Sequence, residues 1–196
     1  MQAETLAQTL GGGFADPAIA SAAAFRQVME AMARPGTIYT ITGAAPPAPL
    51  SPATGAVLLT LCDPDTPVHL AGALDCDAVR AWVAFHTGAP VVGPSHCMFA
   101  VGAWADLLPI SAYQIGTSQY PDRSATLIVQ AERLEQAGAI LSGPGIKETH
   151  ALSLPEIEVF QNNAGLFPLG LDFIFTCCDR VAALPRTTVV TQKGDV

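Results

Sequence analysis

The stretch ATLIVQA, residues 125–131, decides the class of fold because it is the clearest β-strand signal in the chain. It is a short apolar run in which Thr126, Ile128 and Val129 are β-branched, and such residues pack well on a pleated sheet. A sheet containing this strand is therefore expected, and the segments around it indicate what covers that sheet.

A helix is predicted upstream of this strand, beginning at Asp16-Pro17, where Asp is a good N-cap and Pro suits the first helical position. Four apolar residues recur at the spacing i, i+3, i+4 and i+7 and are expected to form its core-facing side: Phe25, Val28, Met29 and Met32. Arg34-Pro35-Gly36 ends the helix, because the residue before proline is driven out of the α region.

The remaining elements alternate between helix and strand along the chain. Helices are predicted at residues 53–62, 77–86 with Gly88 as C-cap, and 155–162. Further strands are predicted at residues 37–42, 68–71, 91–92, 98–101, 172–177 and 181–184. This alternation indicates an α/β fold with layers of helix around a mixed central sheet. We expect a loose segment at 1–15, a single domain at 16–191 and a tail at 192–196.

Composition favours assembly with other chains and argues against nucleic-acid binding. Apolar residues make up 50% of the 196 residues, charged residues only 13%, and the mean hydropathy is +0.37. Part of the apolar surface is therefore expected to be buried in an oligomer, such as a homodimer. The net charge of −8, with nine Lys plus Arg, offers no basic stripe for a phosphate backbone.

The cysteines and the N-terminal sequence indicate a cytoplasmic protein. The first residues lack the basic and apolar regions of a signal peptide, and no apolar run is long enough to span a membrane. The five cysteines show no CxxC spacing, so we interpret them as reduced thiols rather than disulfides or metal ligands.

Two segments carry candidate catalytic or metal-binding residues. Asp63 and Asp65, in the sequence DPDTP, have oxygens that suit a magnesium–nucleotide, although Asp next to Pro also forms ordinary Asx turns. His86 lies in the last turn of its predicted helix and is a candidate general acid. A histidine that donates to a backbone carbonyl explains the same position.

Three arginines are the candidate anion-binding residues, because the chain has few cations and a guanidinium offers a planar fork to phosphate: Arg34, Arg123 and Arg186. Each lies in a loop that contains proline. Salt bridges to nearby carboxylates are the competing interpretation. The turn Gly143-Pro144-Gly145 lacks the Gly-Lys-Ser/Thr ending of a phosphate loop. It remains either a plain turn or an anion-binding nest of backbone N–H groups.

A series of segments, in this order along the chain, resembles the PhnH family of phosphonate metabolism. They are FR (25–26), AMARPG (31–36), LTLCDPDTPV (59–68), FHTGAP (85–90), GT (116–117), SATLI (124–128), LSGPGI (141–146), FPLGLD (167–172) and LPRTT (184–188). The resemblance spans roughly residues 14–190.

The resemblance implies a subunit of the carbon–phosphorus lyase core complex, with PhnG-, PhnI- and PhnJ-type partners. The complex transfers the ribose triphosphate of ATP to an alkylphosphonate and displaces adenine. The family fold is similar to the large domain of type I pyridoxal-phosphate transferases, but without that cofactor. Of the two lysines, Lys147 lies beside a turn and Lys193 in the tail, so no cofactor is expected to bind this chain and ATP enters only as a substrate of the complex.

Two alternatives to this subunit role stay open at the level of sequence. One is a stand-alone small-molecule transferase that uses His86 and nearby carboxylates as acid and base. The other is a pure scaffold in which the three arginines make salt bridges within the protein or across subunits.

Overall fold

The computed structural model describes residues 11–192. Its α-helices are α1 (Pro17–Ala33), α2 (Pro52–Leu61), α3 (Asp77–Thr87) and α4 (Ile157–Ala164). Its strands are β1 (Tyr39–Thr40), β2 (Val68–Leu70), β3 (Phe99–Gly102), β4 (Thr126–Gln130), β5 (Ala139–Ser142), β6 (His150–Leu152), β7 (Asp172–Cys177), β8 (Arg180–Leu184) and β9 (Val189–Thr191).

A six-stranded sheet in the order β1-β8-β7-β4-β3-β2 forms the centre of the fold. Strands β2, β3, β4 and β7 run parallel, whereas β8 and β1 pair antiparallel at one edge. The predicted α/β class with a mixed central sheet is thus confirmed. Strand β4, which the run ATLIVQA predicts, lies inside the sheet, with Ile128 paired to Val101 on one side and Ile174 on the other.

Two apolar clusters cover the two faces of this sheet. Helices α1, α2 and α3 pack against one face, where Ile128 and Trp82 are fully buried. The second face carries Leu127 and Val129 and is covered by α4 and a small antiparallel sheet of order β6-β5-β9. Because neighbouring residues of β4 enter opposite clusters, the strand is apolar at every central position rather than at alternate ones.

Helix α1 corrects one expectation about its buried face. Val28 is buried, but Phe25 and Met29 are 47% and 50% exposed, and the helix instead buries Ala24 and Ala31. The prediction was wrong for these two residues because apolar residues occur nearly all round this helix. The apolar spacing alone therefore does not show which side faces the sheet.

The other predicted elements agree in type, with shifts at their ends. Gly88, at φ +69°, is the C-cap of α3 as expected, and the last helix begins at Ile157 rather than at Pro155. In the segment 37–42 only Tyr39–Thr40 is a strand, and Val91 makes a single bridge to Val68. The small sheet was missed because its short strands become regular through pairing with one another, which is a contact between segments distant in sequence.

A buried polar network holds the start of α2 against the carboxyl ends of the central strands. Gln130 Oε1 accepts hydrogen bonds from the Ser51 backbone N–H (2.8 Å) and the Thr54 hydroxyl (2.9 Å). The Thr54 and Thr176 hydroxyls lie 2.8 Å apart, and both side chains are fully buried. The network satisfies helix N-terminal groups that the core would otherwise leave unpaired.

Among residues 11–192, no helix has the length and apolar character needed to cross a membrane.

Replacing Asn163 with Ala is expected to cost about 3 kcal/mol of unfolding free energy, because two buried backbone groups lose their partners. The Asn163 side chain, 4% exposed, donates to Leu171 O (2.9 Å) and accepts from Leu171 N (2.8 Å) just before β7. Urea unfolding measures the loss. The exposed neighbour Asn162→Ala is the control, and equal effects of the two substitutions would contradict this account.

Candidate functional site

A groove of about 590 Å³ opens at the end of the sheet where β4 and β7 begin. Its lining comes from residues 32–33, 121–122, 144–145, 167–168, 172 and 185–187. We call it the amino-end groove. The wall is mostly apolar, with Met32 and the 61%-exposed Phe167 among proline side chains.

The amino-end groove gathers segments that are far apart in sequence. Four stretches of the family resemblance contribute to its lining: 31–36, 141–146, 167–172 and 184–188. A fifth, 124–128, begins at Ser124, which bonds to the groove residue Arg186. Five of the nine segments that carry the family resemblance therefore meet at this surface.

Arg186 is the mostly buried charge at the centre of this surface, since its side chain is 12% exposed and that of Asp172 is 19% exposed. Its backbone N–H donates to Asp172 Oδ1 (2.8 Å), and its guanidinium reaches the same carboxylate through Nε (3.2 Å) and Nη2. Nη1 donates to Pro121 O (2.9 Å), and Nη2 also donates to Ser124 Oγ. Arg186 thus ties the end of β8 to the start of β7 and to the loop before β4.

This geometry fits the salt-bridge interpretation of Arg186 better than an open anion site. The Asp172 carboxylate and two neighbouring oxygens, Pro121 O and Ser124 Oγ, already use most of the guanidinium donors. A phosphate or phosphonate at Arg186 would have to displace one of these partners.

Arg34 and Arg123 follow groove residues directly in sequence and are both exposed. Arg34 Nη1 lies 2.6 Å from Glu30 Oε2, and the pKa of Arg34 is raised by a hydrogen bond to Tyr39 and by Glu30. The Arg123 guanidinium lies over the Tyr120 ring, with Cζ 4.2 Å from the ring centroid. This contact is a cation–π interaction and corresponds neither to an anion site nor to the alternative salt bridge.

His86 lies elsewhere, beside a separate cavity of about 270 Å³ that Gly12 and Gly13 also line. Its Nε2 is 3.1 Å from Gly11 O, which also accepts from Trp82 Nε1 at 3.1 Å. Within the described residues this carbonyl is the hydrogen-bond partner of the ring, as in the backbone-carbonyl interpretation. A Cβ on Gly13 would lie 2.6 Å from His86 Cε1, so the ring packs directly on this loop.

Asp63 and Asp65 form a local turn of the Asx type. Asp63 Oδ1 accepts from Asp65 N at 2.9 Å, and Thr66 Oγ1 accepts from Asp63 N at 2.6 Å. The structure therefore favours the turn interpretation over a magnesium–nucleotide site. Among residues 11–192, no three His, Cys, Asp or Glu side chains group as metal ligands.

The turn Gly143-Pro144-Gly145 packs against the end of α1. A Cβ on Gly145, at φ +81°, would lie 1.9 Å from Ala33 O. The turn is thus a close backbone contact rather than an open nest, and this contact requires glycine.

The sequence identified Arg186 as a candidate anion-binding residue, but it did not predict the amino-end groove around it. Phe167 and Ser124 were quoted only as parts of family segments, and neither carries a chemical motif. The one usable signal was Asp172, a carboxylate at the start of a predicted apolar strand.

The model of the bacterial phosphonate metabolism protein family, PhnH, matches residues 12–191 of this chain. The chain belongs to the PhnH family. A curated relative from Rhizobium meliloti (strain 1021), alpha-D-ribose 1-methylphosphonate 5-triphosphate synthase subunit PhnH, is 43% identical over 95% of this chain and 98% of its own length. The putative C-P lyase subunit protein HtxG of Stutzerimonas stutzeri is 30% identical over 87% of this chain and 86% of its own.

The cysteines of this PhnH-family chain differ in accessibility, since Cys62 and Cys97 are buried and Cys178 is exposed. Burial raises the pKa of Cys62 to about 12 and that of Cys97 to about 11. The pKa of Cys178 is also raised, mainly by a hydrogen bond to Cys177, but its thiol meets solvent.

Arg186→Lys is expected to destabilise the protein by about 2 kcal/mol, because an ammonium cannot reproduce the paired contacts to Asp172 and the two loop contacts. Arg34→Lys, which changes an exposed ion pair, is the matched control and should cost less than about 0.5 kcal/mol. Urea unfolding of both variants measures the difference. Equal losses would show that the Arg186 network does not hold the groove together.

Iodoacetamide at pH 8 is expected to modify Cys178 more than about 100-fold faster than Cys62 in the folded chain. With a pKa of about 12, only about one Cys62 thiol in 10,000 is ionised at this pH, and it is also shielded. Raising the pH to 9 should increase the Cys62 thiolate fraction about tenfold, since both values lie below its pKa. Peptide mapping by mass spectrometry measures each rate, with urea-unfolded chain as control. Comparable rates at both cysteines in the folded chain would contradict the burial of Cys62.

Proposed function

We propose that this chain is the PhnH-type subunit of a ribose 1-alkylphosphonate 5-triphosphate synthase within a carbon–phosphorus lyase core complex. The observation that carries the proposal is the 43% identity, over nearly the full length of both chains, to a protein named as such a subunit. In this role the chain supports transfer of the ribose triphosphate of ATP to an alkylphosphonate, with displacement of adenine.

The outer surface of α1 supports an assembly role. We define it by the exposed residues Ala18, Ile19, Ala22, Phe25, Met29 and Ala33. Ile19 is 71% exposed, and Phe25 and Met29 are about half exposed. A helix of 17 residues is about 25 Å long, and the exposed apolar residues follow most of that length. They form a continuous strip rather than the single scattered apolar side chains that are normal on a surface.

The α1 surface continues into the amino-end groove, because Met32 and Ala33 at the end of α1 also line that groove. Phe167 adds an exposed aromatic ring to the lining of the groove. An aromatic ring and flexible methionines around a concave surface are typical of the centre of a protein interface. Arg34 and Arg123 supply exposed cations where the lining ends, which suits a polar rim.

The proposal assigns this combined surface to contacts with PhnG-, PhnI- or PhnJ-type subunits, and to a homodimer before the complex forms. It places the assembled protein in the cytoplasm. The chain takes a supporting role in the reaction, since Arg186 is already paired and Asp63 and Asp65 form a turn.

The proposal includes a fold similar to the large domain of type I pyridoxal-phosphate transferases, without use of that cofactor. A Schiff-base site needs a lysine inside a pocket. Lys147 is exposed in the turn after Gly145, and Lys193 lies outside the described residues. ATP accordingly enters as a substrate of the complex and not as a cofactor of this chain.

The decisive experiment is co-expression of the tagged chain with untagged PhnG-, PhnI- and PhnJ-type subunits, followed by native mass spectrometry. We expect stoichiometric recovery of the complex. Recovery of only a free monomer or dimer, under conditions where the other three subunits assemble, would overturn the proposal.

The double variant Phe25→Ser/Met29→Ser is expected to lower recovery of the complex or homodimer at least about tenfold, because exposed aromatic and methionine side chains at an interface centre contribute strongly to affinity. Phe85→Ser, on α3 and 56% exposed, is the matched control and should assemble normally. Circular dichroism checks that both variants fold. Normal assembly of the double variant would remove the α1 surface from the interface.

A further inference from the structure

A second cleft opens at the opposite end of the central sheet. Its volume is about 630 Å³, within the range of small-molecule sites. It lies beyond the carboxyl ends of β3 and β4, where Trp104 and Glu132 line it. We call it the carboxyl-end cleft. Ligands of α/β proteins commonly bind outside the carboxyl ends of parallel strands.

Trp104 gives this cleft a fixed aromatic wall. The indole packs on Phe160, with ring centroids 5.0 Å apart, and Phe160 in turn packs edge-on against Phe173 at 4.9 Å. The indole N–H donates to Glu156 Oε1 at 3.1 Å. The ring is therefore held by the buried aromatic cluster and by a hydrogen bond, while it still lines the cleft.

The floor of the cleft is apolar, and one polar group there is already engaged. Val129 and Phe175 are each 1% exposed and line the cleft from β4 and β7. Gln130 also lines it, but its Oε1 accepts from Ser51 and Thr54 while its Nε2 donates to Pro49 O at 2.9 Å. The amide of Gln130 is thus a structural group rather than a ligand contact.

The charges around the cleft select against phosphate. Glu132 lines it with an exposed carboxylate, and Glu156 holds the indole at its edge. Arg133 is the one basic side chain in the lining and lies 3.7 Å from Glu135 in an exposed ion pair. Carboxylates outnumber cations here, so the cleft favours neutral ligands or ligands that carry N–H donors.

We propose that the carboxyl-end cleft binds a planar nitrogen heterocycle of purine size. The heterocycle stacks on Trp104 and donates a ring N–H or amino group to Glu132, while the apolar floor excludes water beneath it. Stacking of a base on an aromatic side chain is a common and sequence-tolerant mode of base binding. The site lies at the other end of the sheet from the amino-end groove. Its relevance to a reaction that displaces adenine rests on the proposed function, whereas the binding itself is argued from this cleft alone.

Isothermal titration calorimetry of the full chain with adenine, adenosine and inorganic tripolyphosphate tests this inference. Adenine and adenosine are expected to bind with Kd on the order of 0.1–1 mM, as suits small ligands. Tripolyphosphate should neither bind in this range nor displace adenine. Absence of heat from adenine at about 2 mM, or displacement of adenine by tripolyphosphate, would overturn the proposal.

Variants of Trp104 and Glu132 test whether adenine binds in the carboxyl-end cleft. Trp104→Leu is expected to weaken adenine binding about 10-fold, and Trp104→Phe no more than about 3-fold, because a ring remains for stacking. Glu132→Gln should weaken adenine about 3-fold and leave the fold intact, since Glu132 is exposed. Phe85→Leu, an exposed aromatic on α3, is the control and should bind adenine as the unaltered chain does.

If the midpoint of urea unfolding shows that Trp104→Leu is folded, and its affinity for adenine is unchanged, the cleft is not the binding site. Should Trp104→Leu fail to fold, Glu132→Gln decides: unchanged adenine affinity overturns the proposal. The same variants analysed by native mass spectrometry with partner subunits separate this result from the assembly role. Loss of adenine binding with normal assembly would leave the proposed function untouched.

Discussion

Burial of strand β4 on both faces is the constraint on which the rest of the structure depends. Leu127, Ile128 and Val129 are all at most 1% exposed, although successive side chains of a strand point to opposite sides. Two covering layers are therefore required. Helices α1 to α3 provide one, and α4 with the small β6-β5-β9 sheet provides the other. The amino-end groove and the carboxyl-end cleft lie at the two ends of this sheet.

The sequence carried enough information to predict this arrangement in outline. The ATLIVQA run, the Asp16-Pro17 start and the Gly88 cap each act through local physics, and all three hold in the structure. The small sheet was not predictable in the same way. A strand such as β6, with only His150–Leu152, becomes regular through pairing with Leu141 and its neighbours, which is a non-local contact. The predicted buried face of α1 was wrong for a related reason. Only the packing of the helix on the sheet shows that Ala24 is buried and Phe25 is exposed.

The site was less predictable than the fold because its geometry depends on residues that carry no motif of their own. Arg186 was a candidate by residue type, but its role depends on Asp172, 14 positions earlier, and on Pro121 O and Ser124. None of these contacts follows from spacing. His86 and Asp63 show the converse, because each has a plausible chemical motif and yet meets a backbone group. For Asp63 this is the local competition between side chain and backbone that is frequent at turns. The contact of His86 instead joins α3 to a backbone carbonyl 75 positions earlier.

The two ends of the sheet differ in chemistry, and this difference is the reason that we propose assembly at one end and ligand binding at the other. The amino-end groove presents Met32, Phe167 and proline side chains around Arg186. Most N–H donors of Arg186 already have partners, so the groove offers a partner apolar area rather than free hydrogen-bonding groups. The carboxyl-end cleft presents a rigid indole and an exposed carboxylate, which suit a small planar molecule. A subunit built this way can be covered by partners at one end while the other stays open. The Gln130–Thr54–Thr176 network fixes α2 against β4 and β7. Because Asp172 lies at the opposite end of β7 and pairs with Arg186, the two surfaces are held by the same sheet.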